Sequence, residues 1–185
     1  MIVLMGKTAS GKTTILKKLV DQYGYKPIVT YTTRPIRKNE IAGVTYHYIS
    51  NDEFQVKIEN DFFAEWKSYE TVEGTWYYGS AREDIDNANK REIIILTPSG
   101  YRDIIKIAAT KPLTIYIYAN NQTIKERLEA RGDKKEEAER RIRQDNADFK
   151  GIEYEVNKVI YNNSGMALED VIEKIYSFLE EKGEI

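Results

Sequence analysis

The chain has 185 residues, enough for one well-packed core with or without appendages, and its 28 basic and 30 acidic side chains leave a formal net charge of −2. That balance excludes a global field that would draw the chain to nucleic acid or an acidic membrane, so any anion binding must be local. The absence of cysteine excludes disulfides and thiolate metal sites. No basic stretch followed by an apolar one opens the sequence, and no apolar run is long enough to span a bilayer. The expectation is a soluble, cytoplasmic protein, monomeric or homodimeric, without nucleic-acid or membrane partners.

In chain order, Ile2-Val3-Leu4-Met5 reads as a short buried strand and Thr14 to Val20 as an amphipathic helix ending near Tyr23, with Gly24 as a left-handed cap. Ile28 to Tyr31 reads as a strand. Pro35 makes Thr33-Arg34-Pro35-Ile36-Arg37 a basic turn, since it disfavours helix at Arg34. Ile41 to Tyr48 is short strand material with a glycine turn. Ser50 and Glu53 form a capping box for a helix to about Glu59. Phe62 to Tyr69 and Trp76 to Gly79 pair as a hairpin across Glu73-Gly74. Ser80 and Glu83 make a second capping box, opening a helix to about Lys90. Ile93 to Leu96 is an unbroken apolar run suited to a parallel strand buried on both faces. A helix over Gly100–Ala108, a strand over Leu113–Tyr118 and a helix from about Gln122 to Arg131-Gly132 follow. Asp133 to Phe149 is almost all charged, with Ala138, Ile142 and Ala147 as apolar spacers, and reads as a solvated helix or lid. Val159 to Tyr161 is a last strand. Leu168, Val171, Ile172, Ile175 and Leu179 share one face of a final helix. Alternating strands and helices predict an α/β fold with a parallel sheet, whose ligands bind beyond the strands' carboxyl ends.

Four signals carry chemistry. Gly6-Lys7-Thr8-Ala9-Ser10-Gly11-Lys12-Thr13 fits G-x-x-x-x-G-K-[ST] between a strand and a helix. Gly6 and Gly11 let the backbone wrap around phosphates, and N–H groups at the helix start point at the anion. Lys12 supplies charge for the β- and γ-phosphates, and the Thr13 hydroxyl is suited to Mg²⁺. Arg34 and Arg37 are spaced to converge on one anion, where a planar fork binds phosphate bidentately. Arg127, Arg131, Arg140, Arg141 and Arg143 lie where a lid over transferring phosphate needs cations. The plain reading of that charged run is a solvated face with i,i+4 pairs to Glu126, Glu136, Glu137 and Glu139; it suits Arg140 and Arg143 best. Finally, Glu65 beside Trp66 offers a carboxylate for guanine's N1–H and exocyclic amino group, a donor pair adenine lacks; the plain reading is a strand-edge glutamate facing water.

In order and spacing these residues resemble guanylate kinases over nearly the whole chain. The resemblance rests on Gly6 to Thr13, Thr32-Thr33-Arg34-Pro35-Ile36-Arg37-Lys38-Asn39-Glu40, Gly43 to Tyr48, Phe63-Ala64-Glu65-Trp66, Tyr77-Tyr78-Gly79-Ser80, Arg131-Gly132 and Asn162-Asn163. It implies a P-loop NTPase-type parallel sheet flanked by helices, with a small mixed insertion for the nucleoside monophosphate and a helical lid. Within a single domain, residues 1–31, 80–126 and 147–185 would be core, 32–79 the monophosphate-binding region and 127–146 the lid. It implies transfer of the γ-phosphoryl group of ATP to GMP or dGMP with Mg²⁺. Gly6, Lys7, Thr8, Ala9, Ser10, Gly11, Lys12, Thr13 and Thr14 would bind ATP, with Asn162 near the adenine and Thr13 on the metal. Arg34, Arg37, Tyr46 and Tyr78 would hold the GMP phosphate, while Glu65, Ser80 and Thr30 would meet guanine. Lys12, Arg37, Arg131 and Arg141 would be catalytic, the last two as lid arginines. His47, between two tyrosines, is read as structural.

One departure stands out. After the Ile93–Leu96 strand the family carries Asp-Ile-Asp, where the acids assist guanine recognition and the Mg²⁺ shell; here Thr97-Pro98-Ser99-Gly100 has no carboxylate. Three alternatives follow: lower activity, Mg²⁺ resting on Thr13 and the phosphates, or a changed acceptor. A related family that phosphorylates ribose 1,5-bisphosphate shares the missing acids but lacks the Glu-Trp pair and the tyrosine pattern kept here. Guanylate-kinase-like binding modules are a further alternative, but they tend to lose the phosphate loop that this chain retains.

Overall fold

A computed structural model describes residues 1–38 and 40–184; Asn39, inside the arginine-turn motif, and Ile185 lie outside the described residues. Two compact units emerge. One comprises Met1–Pro27, Asn89–Pro98 and the chain from Pro112 on; the other comprises Ile28–Ala88 and Ser99–Lys111.

The first unit is built on five strands, β1 (Ile2–Met5), β2 (Lys26–Pro27), β7 (Glu92–Ile95), β8 (Leu113–Tyr118) and β9 (Lys158–Tyr161), in the order β2-β7-β1-β8-β9. Every pairing is parallel. All four residues of β1 are buried, as a central strand covered on both faces requires. Helices α1 (Lys12–Tyr23) and α7 (Leu168–Glu181) pack Ile15, Leu19, Val171, Ile172, Ile175 and Leu179 against Ile2, Leu4, Ile93, Ile115 and Ile117. Each such side chain contributes about 1.5–3 kcal/mol. Gly24 closes α1 at φ 69°, as expected. Helix α5 (Asn121–Arg131) is capped by Asn120, whose side chain accepts from the Thr123 N–H at 2.8 Å. Helix α6 (Lys135–Asp148) is the charged segment. It is less detached than its composition implies: Ala138 and Ile142 pack on a cluster of Ala119, Ile124 and Leu128 that also takes in Ala9 of the phosphate loop.

The second unit carries β3 (Tyr31–Thr32), β4 (His47–Tyr48), β5 (Phe63–Thr71) and β6 (Gly74–Ala81) in the order β4-β3-β6-β5, mixed in direction. Its helices are α2 (Asn51–Glu59), α3 (Arg82–Asp86) and α4 (Pro98–Ile107), the last beginning with Pro98 from the first unit. The Ser50–Glu53 capping box forms as read. Three local expectations change. Residues 28–30 are not a strand: the chain leaves one sheet after Pro27 and joins the other at Tyr31. Strand pairing between Ile41 and Tyr48 shrinks to His47–Tyr48 plus a single Ala42–Tyr46 bridge, with Gly43 at φ 75°. Ser80 does not cap α3. It stays in β6, Ala81 takes the cap position without a side-chain bond, and the helix ends at Asp86. None of the helices among the described residues is long and apolar enough to cross a membrane.

Candidate active site

The phosphate loop runs from β1 into α1, with Gly11 at φ 99° and Ala9 at φ 53°. A side chain at Gly6 would collide with the Ser10 hydroxyl and lie 2.7 Å from the Ile117 carbonyl, and one at Gly11 would collide with Asn162. Gly6 is therefore required by close approach, and Gly11 by close approach as well as by its left-handed backbone. Lys12 folds back over the loop, donating to the carbonyls of Gly6 at 2.6 Å and Lys7 at 2.9 Å. Burial lowers its pKa to about 8, with Asp145 opposing and Arg131 reinforcing the shift. Among the described residues the buried Ser10 hydroxyl has no hydrogen-bond partner.

A cleft of about 420 Å³ opens beside the loop, lined among others by Ala9, Gly11, Lys12, Thr13, Thr14, Arg127, Arg131 and Asn162. The fold thus gathers residues that the sequence reading drew from both ends of the chain. Asn162 donates from Nδ2 to the Ser10 carbonyl at 2.8 Å and accepts from Arg127 Nη2 at 3.4 Å; Arg127 also donates to the Ala9 carbonyl at 3.1 Å. In the sequence Arg127 reads only as one of the lid cations; in the fold it stands one helical turn before Arg131 on the same face and donates to the phosphate loop. Arg131 forks onto Asp133, while Arg141 donates to Glu137 at 2.7 Å and reaches Asp133 at 3.7 Å. Burial would raise the pKa of Glu137, but its hydrogen bonds to Arg140 and Arg141 win and hold it down at about 2. The plain reading holds for Arg140, paired with Glu137 at i,i+3, and for Arg143, 4.0 Å from Glu139 at i,i+4. Asp133, missed in the sequence, and Glu137, read there as an i,i+4 partner in the charged run, thus orient Arg131 and Arg141.

Asp145 is the other residue missed. Its Oδ2 accepts from the Thr8 N–H at 2.5 Å, and neighbouring Asn146 Oδ1 accepts from Lys7 Nζ at 2.5 Å. Burial raises the pKa of Asp145 despite the Thr8 hydrogen bond and the nearby Lys12 and Lys7.

In the second unit a β-bulge decides which way Glu65 points. Phe63 pairs with Ala81 and Glu65 with Ser80, so Ala64 has no opposite number. Without that extra residue Phe63 and Glu65 would share a face. Instead Phe63 stacks on Phe54 of α2 at 4.4 Å while Glu65 joins Ser80, Lys67 and Tyr78 on the other side. Ser80 Oγ donates to Glu65 Oε1 at 2.6 Å. Burial raises the pKa of Glu65, opposed by Ser80 and by Lys67. Lys67 is held by Asp103 of α4 at 2.6 Å.

Tyr78 lies edge-on to Tyr46 with ring centroids 6.0 Å apart, and the Arg34 guanidinium lies 5.6 Å from the Tyr46 ring centre. Burial pushes the Tyr46 phenol up to about 12, so it remains a donor at neutral pH. The organiser here is Glu40, another residue without an assigned role. It takes a bidentate fork from Arg34 at 2.8 and 2.9 Å, the Arg37 backbone N–H at 2.8 Å and the Tyr48 hydroxyl at 2.8 Å. Burial opposes its ionisation, but these bonds lower its pKa overall. Thr30, outside any strand, accepts from the His47 N–H through its carbonyl. His47 packs against Tyr31 at 4.6 Å, consistent with a structural role.

Among the described residues there is no group of three or more acidic or histidine side chains that could hold a metal ion. Thr13, exposed in the first turn of α1, offers one neutral hydroxyl. That donor set suits a hard cation arriving with phosphates and waters, as Mg²⁺ does, rather than one caged by protein.

The guanylate kinase family model matches residues 1–182. The guanylate kinase of Sulfurimonas denitrificans is 36% identical over 149 residues, covering 77% of this chain and 70% of its own length. That of Fusobacterium nucleatum is 28% identical over 186 residues, covering 97% and 95%. The solved guanylate kinase from Anaplasma phagocytophilum aligns with a TM-score of 0.71 at 22% identity over 98% of this chain and 85% of that one, so the fold is shared. By sequence and by fold, the chain belongs to the guanylate kinase family.

Proposed function

We propose that this protein transfers the γ-phosphoryl group of ATP to the phosphate of GMP or dGMP, in a cytoplasmic setting. The observation that carries the reading is the Glu65–Ser80 pair, turned by the bulge onto the side of the β5–β6 hairpin that bears Tyr78. A carboxylate there accepts two parallel N–H bonds from guanine, and adenine leaves it unpaired at a cost. Arg34, Arg37, Tyr46 and Tyr78 hold the monophosphate, with Glu40 keeping the Arg34 fork in place. Lys12 and the loop N–H groups hold the β- and γ-phosphates, and Asn162 and Arg127 brace the loop from behind.

A GMP phosphate oxygen attacks the γ-phosphorus in line, the bond to the β,γ-bridging oxygen breaks, and ADP departs with that electron pair. The chain supplies positioning and charge rather than a covalent intermediate. Arg131 and Arg141, preset by Asp133 and Glu137, neutralise the equatorial oxygens. Mg²⁺, held by Thr13 and the phosphates, would add charge neutralisation. Residues 32–79 act as the monophosphate-binding region and 127–146 as the lid. A second reading, a different phosphoryl acceptor, is favoured by one observation: Thr97-Pro98-Ser99-Gly100 carries no carboxylate. Phosphorus NMR of an ATP, GMP and Mg²⁺ mixture with the protein tests the proposal. It predicts growth of ADP and GDP signals in equal amounts; ADP and free phosphate alone would contradict it.

A further inference from the structure

The Thr8 N–H is one donor and can serve one strong acceptor at a time. In this fold Asp145, near the end of α6, takes it with Oδ2 at 2.5 Å. The next residue, Asn146, takes Lys7 Nζ. Two successive residues of the charged helix are thus anchored on two successive residues of the phosphate loop. The carboxylate also lies within electrostatic reach of Lys12 and Lys7, the cations of the loop. Asp145 has the charge, the acceptor atoms and the partners of a loop-bound phosphate oxygen.

We propose that Asp145 is a built-in competitor for the phosphate loop, and that ATP binds by displacing it. The inference rests on reading the loop as the site of ATP. Two anions in one cradle repel, so a phosphate that takes the Thr8 N–H expels the carboxylate. Expulsion frees the C-terminal end of α6. Arg141 stands one turn earlier on the same helix face, so the exchange loosens the end of α6 that carries a lid arginine. Nucleotide binding and lid movement are thereby coupled through the Asp145–Thr8 hydrogen bond, and ATP affinity is lower than the loop alone would give.

The test is calorimetric binding of a non-hydrolysable ATP analogue with Mg²⁺, and of inorganic tripolyphosphate, to the wild type, Asp145→Ala and Asp145→Asn. Glu139→Gln, an exposed acid on the same helix, is the charge control. Loss of one charge-assisted competitor predicts about tenfold tighter binding of both ligands by Asp145→Ala. Asp145→Asn, which keeps the shape and protects against a folding defect, shifts the same way, and the control stays unchanged. Hydrogen exchange over residues 142–148 rises when the analogue binds the wild type and is already high in unliganded Asp145→Ala. Unchanged or weaker binding by both Asp145 variants overturns the displacement. Absence of binding by every protein, wild type included, overturns the reading of the loop itself.

Discussion

Glu40→Ala removes the partner of a buried guanidinium. Arg34 is only 4% exposed and Glu40 15%, and the fork between them is bidentate. The change also strips acceptors from the Arg37 N–H and the Tyr48 hydroxyl. Breaking a buried pair on one side costs about 3–5 kcal/mol, and we take the lower end, about 3 kcal/mol, because the hydrogen bonds of the fork are only part-buried. Urea unfolding at neutral pH should show that loss. The deficit should shrink when GMP is added, since its phosphate supplies Arg34 with a new anion. It should also shrink in acid. Glu40 has a lowered folded pKa, so its contribution is complete above the ordinary carboxylate range and fades as pH falls through the folded value. A loss under about 1 kcal/mol, the range of an exposed ion pair, would refute the reasoning. So would a deficit that GMP leaves untouched.

Four further outcomes follow from the structure. Glu65→Gln replaces one acceptor oxygen by a donor facing guanine's own donors, so kcat/KM for GMP should fall by about a hundredfold or more, measured by coupled ADP release. In the wild type the acid limb of that parameter should lie above the ordinary glutamate range, because burial raises the Glu65 pKa and guanine needs the ionised form; Lys67→Met, which removes an opposing charge, should move the limb higher still. Affinity for ATP should decline as pH rises through about 8, where Lys12 loses its proton, and a titration flat to pH 10 would contradict this. Asn120→Ala should cost about 1 kcal/mol by thermal unfolding with kcat unchanged, as expected for loss of a helix cap.

What was legible in the sequence was local. The phosphate loop announces itself because glycine spacing, the apolar run before it and the helix after it all lie within about twenty residues. The final helix was readable from the 3.6-residue recurrence of Val171, Ile172, Ile175 and Leu179. What stayed hidden depends on pairings between distant segments. The bulge at Ala64 is a property of register against β6, and no alternation in β5 alone reveals it. Ser80 read as a cap because Glu83 follows at the right spacing, yet the strand kept it and Glu65 claimed its hydroxyl. Glu40 lay inside a recognised motif, but its role needs the chain to turn so that Arg34, Arg37 and Tyr48 meet it. Asp145 lies 137 positions from Thr8, and only the fold makes them partners.

The most direct test of the central claim is the initial rate of ADP release from Mg·ATP with GMP, dGMP, AMP, CMP, UMP and ribose 1,5-bisphosphate as acceptors. The account predicts strong turnover with GMP and dGMP alone, despite the missing acids after β7. Turnover with another acceptor and none with GMP would contradict it, and would make Thr97-Pro98-Ser99-Gly100 the mark of a changed substrate.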